Sequence, residues 1–249
     1  MTGLSQRLPV RAGLLLCLLA ASACGDQTAT SHAALTPGAP AAASASGTRA
    51  NPPHLAYVAL GASETYGVGA NPVTNGYAYL LRDDLRLSAS AFADVAIPGA
   101  TLADAYQPEL TNALSIQPTV CTVFFGVNDI RAGVPLAQFT SDLTDLVTTL
   151  HRAHARVLIV GIPELSDLPA LHSFPAADLA AATQQWNAAV HGVATATGSA
   201  FLSLTDYSHE LATHPEEIAL DGLHPSNLGH ARLAQVIFAT LTSQGYISP

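Results

Sequence analysis

Between residues 54 and 249, short apolar runs alternate with longer stretches whose apolar residues recur every three or four positions. The short runs predict buried strands and the longer ones amphipathic helices. Strands are expected at 55–60, 92–97, 119–125, 156–160 and 200–204, and helices at 77–87, 102–114, 136–154, 175–197 and 226–243. Phe139, Leu143, Leu146, Val147 and Leu150 share one face of the third of these helices. In the last, Leu228, Leu233, Ile237 and Leu241 form a stripe, with Ser226 placed to cap it. The strands are apolar almost throughout, as in parallel sheets covered on both sides. Alternating β and α elements with right-handed crossovers predict an α/β fold. The expected form is a three-layer α/β/α, flavodoxin-like five-stranded parallel sheet in the order 2-1-3-4-5.

The pattern upstream is different. Arg7 and Arg11 precede a short apolar run at 12–20, which ends in Ala21-Ser22-Ala23-Cys24. The run is shorter than the ~20 apolar residues that span a membrane and reads as an export signal, residues 1–24. Small residues followed by Cys resemble the lipobox of bacterial lipoproteins, which implies lipidation at Cys24 and a surface-anchored protein outside the cytoplasmic membrane. Ala21 stands where that motif usually has Leu, and the simpler alternative is an ordinary signal cut near Ala23. Residues 25–53 are rich in Ala, Ser, Thr, Gly and Pro and read as a flexible tether. They lead to one folded domain, 54–249.

Composition narrows the partners. Only 11% of the 249 residues are charged and 49% are hydrophobic, enough for one sizeable core. The nine basic residues, all Arg, are outnumbered by eighteen acids, and no basic patch marks a nucleic-acid surface. Cleavage before Cys24 removes two of the arginines, so a membrane link would rest on acyl chains rather than charge. Cys121 stands alone in an apolar strand and reads as a small hydrophobe. Nothing in the sequence sets the oligomeric state.

The chemistry-bearing residues fall at the expected carboxyl ends of strands, where open α/β sheets bind ligands. Ser63 follows strand one in Gly61-Ala62-Ser63-Glu64-Thr65, and Gly99 follows strand two in Ile97-Pro98-Gly99-Ala100. Asn128 follows strand three in Gly126-Val127-Asn128-Asp129, and Asp221-Gly222-Leu223-His224-Pro225 precedes the last helix. A serine nucleophile needs a base, and a histidine base needs an acid to fix its tautomer. Ser63, His224 and Asp221 fill those roles. The backbone N–H groups of Ser63 and Gly99 and the amide of Asn128 supply an oxyanion hole. Such a site requires no metal and no cofactor. A nearby carbonyl could partly substitute for Asp221, so Asp221→Asn is expected to cost less than His224→Ala.

These four blocks, in this order, resemble the SGNH hydrolase family, the GDSL-type esterases and lipases. The resemblance spans essentially the whole folded domain. It implies carboxylic ester hydrolysis with Ser63, Gly99, Asn128 and His224 as the four signature residues and Asp221 as the triad acid. Two positions depart from the family pattern. Its Asp before the Ser is Ala62, and the Asn often found two residues before its Gly is Ile97. Both changes remove polar support from the site.

Each residue alone has a plainer reading: Ser63 and Asn128 as turn residues, Asp129 as a helix cap, Asp221-Gly222 as a turn pair. Jointly they fill every role of a hydrolase site once. The substrates expected are lipid acyl esters or O-acetylated carbohydrate. The rival from another class is a non-catalytic glycan- or lipid-binding lipoprotein with the same fold. His209 and His214, which precede Asp221, are expected to line the pocket, and His230 to pack or face solvent. Residues 163–169 are expected to flank the pocket.

Overall fold

The computed structural model describes residues 54–248. The expected export signal, Cys24 and the tether lie outside the described residues. Five strands form the centre: β1 (Tyr57–Gly61), β2 (Phe92–Asp94), β3 (Val120–Phe124), β4 (Arg156–Val160) and β5 (Ala200–Leu202). All neighbours are parallel and the order is β2-β1-β3-β4-β5, as the pattern predicted. Side chains alternate across the sheet. Val58, Leu60, Cys121, Val123, Val157 and Ile159 enter one core, and Tyr57, Ala59, Val120, Phe124, Leu158 and Val160 the other.

Helices cover both faces. On the first lie α3 (Leu102–Ser115), α5 (Leu136–Arg152) and α6 (Ala176–Thr197). Phe139, Leu143, Leu146, Val147 and Leu150 of α5 are all buried, as their spacing predicted. Each such side chain contributes about 1.5–3 kcal/mol of burial. Trp186 packs against Phe139 with ring centroids 4.8 Å apart. On the second face lie α2 (Tyr77–Asp84), α7 (Thr205–Thr213) and α8 (Asn227–Ser243).

Three helices escape the sequence pattern: α1 (Ser63–Tyr66), α4 (Val127–Ala132) and α7. They are too short to show a helical period. Strand β2 stops at Asp94, short of the expected residue 97. Its pairing nevertheless runs on, since the N–H groups of Val95 and Ile97 bond the carbonyls of Ala59 and Gly61 at 3.0 and 3.1 Å. Ser226 caps α8 as expected, accepting the Leu228 N–H at 3.2 Å. Leu228 does not join the buried stripe. It is 57% exposed, because the first turn of α8 points it away from the sheet. Cys121 is fully buried, and burial pushes its thiol well above the usual range. No helix among the described residues is long and apolar enough to cross a membrane.

Candidate active site

Ser63 is the first residue of α1, directly beyond the carboxyl end of β1. It is almost wholly buried, and its hydroxyl donates to Glu64 Oε2 at 3.2 Å. Its backbone N–H opens the helix and has no intrahelical acceptor.

Gly99 sits in a tight turn after β2. Pro98 occupies the second position, Gly99 takes φ +81° at the third, and the Ala100 N–H closes the turn on the Ile97 carbonyl at 3.2 Å. This is type II geometry, which demands glycine at the third position. A Cβ on Gly99 would meet no atom within 4 Å, so backbone conformation, not crowding, selects glycine here. The space beside it is open to a substrate.

Asn128 and Asp129 belong to α4 and reach across to the segment that follows Gly99. Asn128 Nδ2 donates to the Ala100 carbonyl at 3.1 Å. Asp129 Oδ1 accepts the Leu102 N–H, the first free donor of α3, at 3.0 Å. Asp129 is 1% exposed. Burial raises its carboxyl above the usual range, against the pull of the Leu102 N–H. The plain reading of Asp129 as a helix cap holds, and the helix it caps is α3. The pair thus fastens the Gly99 turn to the end of β3.

The Asp221–His224 segment is a loop folded back on itself. Ile218 and Pro225 form an antiparallel bridge, and the Ala219 N–H bonds the His224 carbonyl at 2.8 Å. Asp221-Gly222 does make a turn, closed by the Gly222 N–H on the Ala219 carbonyl at 2.9 Å. The plain turn reading therefore holds, and the turn leaves the Asp221 carboxyl free to bond His224. Asp221 Oδ2 lies 2.6 Å from His224 Nδ1. Its Oδ1 accepts the N–H groups of Leu223 and His224 at 2.9 and 3.0 Å. Partial burial pushes the Asp221 carboxyl up, but the hydrogen bonds from the His224 ring and from these two N–H groups outweigh it and hold it below the usual range. An ionised Asp221 fixes the proton on Nδ1 and leaves Nε2 as an acceptor.

Two further contacts join the Ser63 side to the His224 side. A Cβ on Gly69 would lie 2.2 Å from the Pro225 carbonyl and 3.1 Å from His224 Cβ, so only glycine lets this segment approach. His230 is fully buried on α8. Its Nδ1 accepts the Tyr77 N–H at 3.3 Å and its Nε2 donates to the Val68 carbonyl at 3.0 Å. Burial lowers its pKa, which keeps the ring neutral for both bonds. His230 is structural, holding the segment after α1 against the base of the His224 loop.

The pockets show the same convergence. One is lined by Ala62, Glu64, Val127 and Asn128. Another is narrow and mostly apolar, lined by Glu64, Phe124, Pro163, Leu168, Leu223 and Pro225. Residues 163–169 thus flank the site as expected. Residues on either side of Ser63 and of His224 share these walls. No hydrogen bond joins the Ser63 and His224 side chains among the described residues; the Ser63 hydroxyl bonds Glu64 instead of the expected base. His209 and His214 do not line the pocket. Both are exposed, paired with Asp167 at 3.1 Å and Glu216 at 3.3 Å. Their helix turns them outward.

Sequence reasoning also missed Glu109 on α3, whose carboxylate accepts the N–H of Gly61 at 2.9 Å and of Ile97 at 3.1 Å. Its signal was a charge on an apolar face, in register with Leu102, Ala105 and Ala113. No group of His, Cys, Asp and Glu among the described residues has the arrangement of a metal site.

Known proteins share this architecture. A lipase/acylhydrolase from Enterococcus faecalis superposes with a TM-score of 0.63 at 20% identity, covering 76% of this chain and 97% of its own. The psychrotrophic esterase EstA from Pseudoalteromonas sp., in a structure inhibited by monoethylphosphonate, gives 0.62 at 18% identity, with 76% and 97% coverage. Axe2, an acetylxylan esterase from Geobacillus stearothermophilus, gives 0.61 at 19% identity, with 75% and 94% coverage. At these identities the likeness shows the fold. No curated protein matches the chain. The model of the GDSL-like lipase/acylhydrolase family matches residues 59–232. The chain belongs to that family, the SGNH type of carboxylic ester hydrolase.

Proposed function

We propose that this hydrolase is an extracytoplasmic serine esterase that works through an acyl-Ser63 intermediate. The observation that carries the reading is the 2.6 Å bond between Asp221 and His224 Nδ1, which reserves Nε2 as the base. The reaction requires Ser63 Oγ to leave Glu64 for that nitrogen, by rotation about χ1. Oγ then attacks the ester carbonyl carbon as its proton passes to Nε2. The charge that develops on the carbonyl oxygen is met by the N–H groups of Ser63 and Gly99 and by Asn128 Nδ2. Collapse breaks the C–O bond, and His224 returns the proton to the leaving alcohol. Water repeats the sequence on the acyl-serine and frees the acid.

The substrate reading favours short acyl groups. The apolar crevice lined by Glu64, Phe124, Pro163, Leu168 and Leu223 has a cavity volume of only about 20 Å³, which leaves no room for a long alkyl chain, and Glu64 lies in its wall. A long alkyl chain would have to pass a buried carboxylate without a cation to pair with it. O-acetylated carbohydrate fits this better than a long-chain lipid. Location outside the cytoplasmic membrane, through a lipid on Cys24, would put such polymers within reach.

The test is a series of p-nitrophenyl esters from acetate to palmitate beside acetylated xylan, with Ser63→Ala as the control. Activity falling steeply with chain length and abolished in Ser63→Ala is expected. Preference for palmitate overturns the short-acyl reading. Mass spectrometry of the mature N-terminus tests the anchor, and a Cys24 without a diacylglyceryl group refutes it.

A further inference from the structure

The two segments that supply backbone donors to the site begin with apolar side chains. Ala62 precedes Ser63, and Ile97 stands two residues before Gly99. Neither can tie one segment to the other. Beyond the backbone bond from the Ile97 N–H to the Gly61 carbonyl, a side-chain tie comes from a third element. Glu109, on α3, is 1% exposed and forty-eight and twelve residues away from its two partners. One carboxylate oxygen accepts the Gly61 N–H at 2.9 Å and the other the Ile97 N–H at 3.1 Å. The Ile97 N–H is shared with the Gly61 carbonyl at 3.1 Å, so three groups meet at one point.

We propose that Glu109 is a positioning residue that sets the oxyanion hole by clamping the Ser63 segment to the Gly99 turn. Each clamped residue lies two positions before a backbone donor. The far side of the turn is held by Asn128 on Ala100 and Asp129 on Leu102. With Glu109 on the near side, the turn is fixed from both ends. Donors aimed before the reaction need no reorganisation when the oxyanion forms, and small displacements are costly. An acid buried this deeply without a cation is expensive, so its retention has to be offset by the bonds it makes. Burial pushes the Glu109 carboxyl up to about 8, offset in part by the two N–H donors and raised by Asp94, the one ionisable group whose charge acts on it. The neutral acid has one good acceptor oxygen, and the carboxylate has two.

This role rests on the reading of Ser63 as the nucleophile. Glu109→Gln keeps the size but presents an amide NH₂ to one of the two N–H groups. At pH 9 it is expected to lower kcat on p-nitrophenyl acetate about tenfold, with KM changed less than twofold. The rate of Ser63 labelling by a fluorophosphonate should fall by a similar factor. A residue needed only for folding would lower Tm and leave kcat and labelling per folded molecule unchanged, and that result overturns the proposal. The wild-type protein gives a second measurement that does not depend on a variant folding. Its kcat should rise between pH 7 and 9; Asp94→Asn should keep that rise and Glu109→Gln should lose it. A flat wild-type profile also overturns the clamp. Wild-type protein that never labels at Ser63 refutes the nucleophile itself, a different outcome from fast labelling in both proteins.

Discussion

Asp221 holds His224 twice: its Oδ2 meets the ring Nδ1 at 2.6 Å, and its Oδ1 accepts the His224 backbone N–H at 3.0 Å. This changes what substitution does. In Asp221→Asn the amide oxygen keeps the backbone bonds, and the NH₂ group faces Nδ1. The ring then turns its proton to Nε2, the nitrogen that must act as base. Asp221→Asn is therefore expected to cost about 10⁴ in kcat, as such a change does in a Ser-His-Asp triad. That is comparable with His224→Ala, against the ranking expected from sequence. Asp221→Ala, which leaves the tautomer free, should cost less. Turnover of the three variants on one ester checks the order.

Asn128 bonds the Ala100 carbonyl, and in the proposed mechanism its second N–H meets the oxyanion. Asn128→Ala is expected to lower kcat by about 10²–10³ while KM moves little. Its Tm should fall by only a few degrees, since one partly buried hydrogen bond is lost. A loss of activity that tracks loss of folded protein would assign Asn128 to structure alone.

His230 serves stability. In His230→Ala the Tyr77 N–H and the Val68 carbonyl lose their partners inside the protein. Each costs about 1–3 kcal/mol, and a cavity adds to it. A loss of about 2–5 kcal/mol in urea unfolding is expected, with kcat per folded molecule largely retained.

The fold was legible because each strand is a short apolar run and each long helix keeps its stripe for several turns. Ser63, Gly99, Asn128, Asp221 and His224 were legible because they sit in short motifs at strand ends. What could not be read has a common cause. Glu109 finds its partners at Gly61 and Ile97, Asp129 at Leu102, and His230 at Tyr77 and Val68. Those partners are backbone groups, which carry no sequence signature, and most lie far away along the chain. Leu228 was misplaced for a related reason, since periodicity does not say where a helix's first turn leaves the core.

One buried acid, Glu109, and one half-buried acid, Asp94, make stability depend on pH. Burial pushes Asp94 up to about 7, partly offset by the Ala96 N–H, and Glu109 up to about 8. Both are raised above their unfolded values near 4, so the folded state holds more protons in between. Their contribution is fully present below pH ~4 and is lost as pH rises through 7 and 8. Unfolding free energy should fall as pH rises across that window, with a limiting linkage slope of ~1.4 kcal/mol per proton per pH unit. Asp94→Asn is expected to match wild type at pH 4 and exceed it at pH 8. Equal stabilities at pH 8 would place the pH dependence elsewhere.

In the proposed mechanism Ser63 is the nucleophile of the esterase site. Full-length protein treated with a fluorophosphonate and digested should carry one phosphonyl adduct, on the peptide containing Ser63. Hydrolysis of p-nitrophenyl acetate should stop in proportion. Ser63→Ala should neither label nor hydrolyse, and His224→Ala should label far more slowly. Folded wild-type protein that takes up no phosphonate, or takes it up at another residue, would contradict the account.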